Sequence, residues 1–131
     1  MIYLSEKFDN AFMPSNARER QEVLNWLFWQ MAGQGPMTGN YGHFMVYAPK
    51  QNGETRDYGV ARYGMEVQRL LDVLDQHLEG REYMVGDSYT IADMACFPWV
   101  QTLRGPVRFQ SRSLQFFQKS PSLSLHLTHH R

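Results

Sequence analysis

Gly86-Asp87-Ser88-Tyr89-Thr90-Ile91-Ala92-Asp93-Met94 carries the clearest helix-start signal in this 131-residue chain. Thr90 is placed to cap a helix, its hydroxyl accepting from a free amide of the first turn. Asp93, three residues on, can answer as a short-armed capping-box acid. Tyr89 before the cap and Met94 four positions after it can close as a hydrophobic staple. The helix continues through Ala95, Cys96, Phe97, Trp99 and Val100, apolar on nearly every side. That is the pattern of a helix buried in the middle of a bundle. Pro98 inside it deprives the Met94 carbonyl of its donor and predicts a bend.

Working toward the N-terminus, Val60, Tyr63, Val67, Leu70, Leu71, Leu74 and Leu78 repeat at three- and four-residue steps, which predicts a long helix from about Arg56 to Leu78. Gly80 is its natural stop. Glu66 follows Arg62 by four residues and precedes Arg69 by three, a charge ladder along the helix surface. Upstream, Asn16-Ala17-Arg18-Glu19 reads as a further capping box, with Asn16 as cap and Glu19 as its partner. Val23, Leu24, Leu27, Phe28 and Met31 then mark a core-facing stripe, flanked by Trp26 and Trp29. Gly33-Gln34-Gly35-Pro36 predicts that this helix stops or bends. Residues 37–55 are punctuated by Gly39, Gly42, Pro49 and Gly53, and Phe44-Met45-Val46-Tyr47 suits a four-residue strand.

The bulk numbers suit one modest helical domain. The chain is 43% hydrophobic, 14% aromatic and 20% charged, which supports a packed core and excludes a disordered acidic or basic chain. Eight Met and three Trp suit irregular core gaps or adaptable pockets. The lone cysteine, Cys96, excludes an internal disulfide framework and suits a reducing compartment. No apolar run approaches the roughly 20 residues that span a bilayer, and the N-terminus lacks a signal-peptide layout. A soluble, cytoplasmic protein is the expectation, with no membrane partner.

Charge is unevenly divided. Residues 1–93 hold all 13 acids and 8 of the 13 Lys and Arg, a net of −5, whereas residues 94–131 hold 5 basic residues and no acid, a net of +5. After Arg104 the helical pattern dissolves into Gly105-Pro106 and a basic stretch. Ser120 to Leu127 alternates like a strand but has no visible partner, so the tail is expected to be loosely held.

Trp26-Leu27-Phe28-Trp29-Gln30-Met31-Ala32-Gly33-Gln34-Gly35-Pro36-Met37 resembles a segment of nu-class glutathione transferases. Tyr3 to Phe8, Ala61-Arg62-Tyr63, and Gly86 to Asp93 leading into Phe97-Pro98-Trp99-Val100 agree with the family in order and spacing, so the resemblance covers about residues 1–102. It implies an all-α fold: a glutathione transferase C-terminal-like helical bundle, incomplete, with an irregular C-terminal tail. Residues 1–14 would be the remnant of the last helix of a thioredoxin-like domain and its linker, 15–104 the helical domain, and 105–131 an atypical basic tail. On this expectation the gene is truncated at both ends, with a frame-shifted or recombined 3′ end. The complete family member would be a homodimer that uses glutathione as co-substrate, conjugating it to small electrophiles or reducing small disulfides with it. The helical domain alone would bind the second substrate and help dimerise, without turnover of its own. A non-enzymatic dimerisation or ligand-binding module, or a degraded fragment, is the alternative.

The resemblance also assigns Arg62 to a glutathione carboxylate, a task suited to its planar two-pronged donor set. A solvated arginine paired with Glu66 is the competing role. Trp29, Met37, His43, Phe44 and Tyr63 are candidates to line the second-substrate pocket, each with core packing as its alternative. Thr90 and Asp93 form the structural capping box. No catalytic residue is expected in this chain, and Cys96, in an apolar setting, should be inert. His126, His129 and His130 resemble a metal tract but have no carboxylate or cysteine beside them, so no metal is expected. The basic tail lacks an aromatic platform, so no nucleic acid is expected either.

Overall fold

The capping box forms as the sequence predicts, and the architecture is assembled around it. A computed structural model describes residues 1–48 and 56–103, together with Phe109 and Ser111. Five α-helices are present: α1 (Ile2–Lys7), α2 (Ala17–Trp29), α3 (Gly35–Gly42), α4 (Arg56–His77) and α5 (Ile91–Thr102). Two π-turns, Gln30–Gln34 and His43–Tyr47, flank α3. Among the described residues there is no strand, and the fold is the expected all-α bundle.

At the start of α5 the Thr90 hydroxyl accepts from the Ala92 amide (3.3 Å), while Asp93 Oδ2 accepts from the Thr90 amide (2.9 Å) and hydroxyl (3.0 Å). Asp93 Oδ1 accepts in addition from the Met84 amide (2.9 Å), so one carboxylate fixes both the helix start and the loop before it. Burial lifts the Asp93 carboxyl above its ordinary range, against the hydrogen bonds from Met84 and Thr90 that pull it down. Tyr89 turns its ring edge-on to Phe12 (6.2 Å) and Tyr83 (6.4 Å). The Ile91 amide donates to the Phe12 carbonyl (3.0 Å), which ties the loop after α1 to the head of α5.

The core has two parts, the first built on α5 and the second reached by the residue just after it. Ile91, Ala92, Cys96 and Val100 pack with Val23, Leu74, Leu78 and Met84, and Leu103 joins Tyr41, Val67 and Leu71 in a second cluster. Each fully buried side chain such as Val23 or Leu74 contributes about 1.5–3 kcal/mol. Pro98 sits inside α5, and the helix runs on to Thr102.

Three expectations are corrected in detail. The helix begun at Asn16, whose side chain accepts from the Arg18 (2.9 Å) and Glu19 (3.2 Å) amides, does not stop at Gly33-Gln34-Gly35-Pro36. It widens into the Gln30–Gln34 π-turn, where the Gly35 amide reaches the Gln30 carbonyl, and α3 follows directly. The widened turn places Pro36 in the first turn of α3, where its missing amide is no loss. Glu19 does not answer Asn16; its carboxylate lies against Gly86. The expected strand at Phe44–Tyr47 is the second π-turn, because Phe44 is held on α4 by stacking on Tyr63, ring centres 5.6 Å apart. Residues 49–55 lie outside those described, as do 104–108, 110 and 112–131, which take with them the strand-like alternation and the terminal histidines.

The α2–α3 rod and α4 run antiparallel, Trp26 meeting His77, Gly33 meeting Leu70, Tyr41 meeting Gly64 and Phe44 meeting Gly59. A Cβ added at Gly59 would lie 2.4 Å from the Phe44 ring, too close for any real contact. Gly59→Ala is therefore expected to destabilise by about 1–3 kcal/mol through overpacking, whereas Gly42→Ala, whose Cβ meets nothing within 4 Å, should gain up to about 1 kcal/mol of helix propensity. Urea unfolding of both variants measures the two signs. Cys96 is fully buried and its thiol is pushed up to about 12 by burial and then by the Asp93 charge. The native protein should resist iodoacetamide at pH 8, and rapid native labelling would contradict that burial.

Candidate functional site

On α4, Tyr63 faces inward while its neighbour Arg62 is exposed. Glu66 is engaged elsewhere: it binds Arg69 through two hydrogen bonds of 2.7 and 3.0 Å. Its carboxyl is held below the usual range, first by that hydrogen bond and then by the charges of Arg69 and Arg62. Arg62 makes no ion pair among the described residues, so its guanidinium is available to an external anion. Beside it, Tyr63 stacks on Phe44, and exposed His43 stands edge-on to Phe44 at 5.3 Å. Met37 and Tyr63 both pack against the second core cluster.

Three of the five pocket candidates, His43, Phe44 and Tyr63, are therefore in ring contact with one another, while Met37 packs against the second core cluster. Trp29 does not join them. It packs against the first core cluster, edge-on to Trp26 at 5.1 Å. Trp26 in turn lies 4.2 Å from the His77 ring, and His77 Nε2 donates to the Met84 carbonyl (2.6 Å). Its role there is to join α2, α4 and the loop before α5.

A half-open cavity of about 360 Å³ lies between α3 and the end of α5, lined by Thr38, Tyr41, Met45, Tyr47, Trp99 and Leu103 among others. None of the five pocket candidates from the sequence lines it. The signal was present but ambiguous. Gly39 and Gly42, read as helix breakers, lie inside a continuous helical rod and leave that face bare. Trp99 lies along the resulting groove, 3.2 Å from where a Gly35 Cβ would be.

Among the described residues no three His, Cys, Asp or Glu side chains converge as a metal site, and no helix is long and apolar enough to cross a membrane.

The family model for the glutathione S-transferase C-terminal domain matches residues 57–128, past the Thr102 at which the residue-by-residue resemblance ends. The chain is 44% identical over 99 residues to the disulfide-bond oxidoreductase YghU of Escherichia coli, covering 76% of this chain and 33% of that protein. It is 45% identical over 100 residues to the disulfide-bond oxidoreductase YfcG of the same organism, covering 76% and 44%. Among solved structures, a glutathione transferase from Burkholderia graminis with two glutathione molecules bound per subunit superposes with a TM-score of 0.76 at 38% identity, over 98% of this chain and 53% of that one. One from Pseudomonas putida with a glutathione disulfide bound per subunit gives 0.74 at 36% identity, over 97% and 58%. The chain thus spans a third to under half the length of those two curated relatives. With its helical bundle and buried capping box, the chain belongs to the glutathione S-transferase family through the C-terminal domain.

Proposed function

We propose that this chain is the helical half of a nu-class glutathione transferase that conjugates glutathione to small electrophiles or reduces small disulfides with it. Residues 1–14 on this reading are the end of the preceding domain and its linker, and the thiol-activating groups belong to that domain. Support comes from two relatives named as disulfide-bond oxidoreductases and from neighbours crystallised with glutathione or its disulfide.

The observation that carries the site assignment is Arg62, exposed and in no ion pair among the described residues, while Arg69 holds Glu66. Its planar fork suits a glutathione carboxylate in a two-pronged hydrogen bond. Phe44 and Tyr63 supply an apolar wall beside it, and His43 a polar edge, for the second substrate. Cys96 takes no part, since a thiol held near 12 carries almost no thiolate at neutral pH. We assign the protein to the cytoplasm and to a homodimer. Phe28 and Met31 on the first rod, with Tyr58 and Met65 on α4, stand exposed as outward apolar anchors for a second copy.

One observation favours the non-enzymatic reading: Tyr3, Leu4, Phe8 and Phe12 are more than half exposed, a sticky edge suited to a binding module. Light scattering separates the two, a defined dimer whose mass is unchanged by Tyr3→Ser and Leu4→Ser favouring the α2–α4 face. For the site, calorimetric titration of the chain with glutathione disulfide should lose about tenfold in affinity in Arg62→Ala, about 1.4 kcal/mol, with partial recovery in Arg62→Lys. Equal affinities in all three forms, or no binding to any, would refute the assignment.

A further inference from the structure

We propose that a single water molecule is held inside the Gln30–Gln34 π-turn as a fixed part of the bundle, bridging the turn's two buried glutamine amides. Gln34 is 3% exposed, and its Nε2 donates to the Cys96 carbonyl at 3.2 Å. A carbonyl only accepts, so the Gln34 amide cannot be turned over, and its Oε1 points away from Cys96. Among the described residues, Gln34 Oε1 is the one buried side-chain atom left without a hydrogen-bond partner. Such atoms are rare in folded proteins, and internal waters satisfy them.

The second partner is Gln30. It opens the same π-turn four residues earlier, on the same side of the rod, and is itself 6% exposed. Its Nε2 lies 2.9 Å from where a Gly35 Cβ would be, which folds the amide over the residue next to Gln34. The two glutamines do not bond to each other directly. A water between them can donate to Gln34 Oε1 and accept from Gln30 Nε2, and water is the smallest molecule that does both. Gln30 also lines an open groove that runs past Gly35, Gly39 and Trp99, which gives the water its way in. No charged side chain lines that groove among the described residues, so an ion entering it would lose its hydration without compensation. Through Gln34 the water then joins the first helical rod to the Cys96 carbonyl of α5.

The test uses the full chain in solution. Nitrogen-edited NMR spectra are expected to show cross-peaks from water to the side-chain amide protons of Gln34 and Gln30. Opposite signs in the laboratory and rotating frames mark a held water and separate it from proton exchange. Oxygen-17 relaxation dispersion counts long-lived waters, and Gln34→Met, an apolar replacement of similar shape, should lower that count by about one per chain. Gln30→Met keeps the Gln34 bond to Cys96 and should weaken the Gln34 cross-peaks about fivefold or more, so it carries the test if Gln34→Met fails to fold. Near-ultraviolet circular dichroism, dominated by Trp26, Trp29 and Trp99, reports whether each variant is folded. The proposal is overturned if wild-type Gln34 shows no water cross-peak, if Gln30→Met leaves that cross-peak unchanged, or if a folded Gln34→Met keeps the wild-type count.

Discussion

A single buried carboxylate organises this domain. Asp93 is 2% exposed and accepts from the Thr90 amide, the Thr90 hydroxyl and the Met84 amide. Its desolvation works against folding, and the hydrogen bonds offset that cost only while all of them are made. The start of α5 and the loop before it therefore form together or not at all. His77 extends the same chain of bonds, holding the Met84 carbonyl while its ring lies against Trp26. Through three side chains α5 is tied to α4 and α2, and the first core cluster is built on it.

The parts of this scheme that depend on short-range chemistry were legible in the amino-acid order. The Asn16 cap and the Thr90–Asp93 box act within three residues, and the α4 stripe needs only the helical period. The π-turns were not legible, because their cause is remote. Gln34 donates to the Cys96 carbonyl, 62 residues away, at 3.2 Å, and no local pattern announces that bond. The four-residue apolar run at Phe44 misled for a similar reason. Its strand-like composition yields to one ring stack with Tyr63 on a different helix.

The candidate site divides along the same line. Arg62 and Tyr63 were marked as a pair by family resemblance, and the side-chain geometry adds that Glu66, four residues on, forms its ion pair with Arg69. Trp29 stood in the most distinctive stretch of sequence, and distinctiveness there reflects core packing with Trp26. The cavity beside Trp99 escaped notice because its key feature is an absence of side chains, at Gly39 and Gly42, inside a helix that a π-turn keeps going.

The meeting of Phe44 with Gly59 has a mechanical consequence. At that crossing the backbone of α4 comes as close to the aromatic ring as a hydrogen-only side chain permits. Sliding α4 along the rod by about one helical turn would bring Arg56 or Tyr63 to the place where only glycine fits. The pair therefore behaves as a pawl in a notch, free to breathe in separation but not to creep lengthwise. Arg62 sits less than one helical turn beyond the notch. Its position along the rod is consequently set at that crossing.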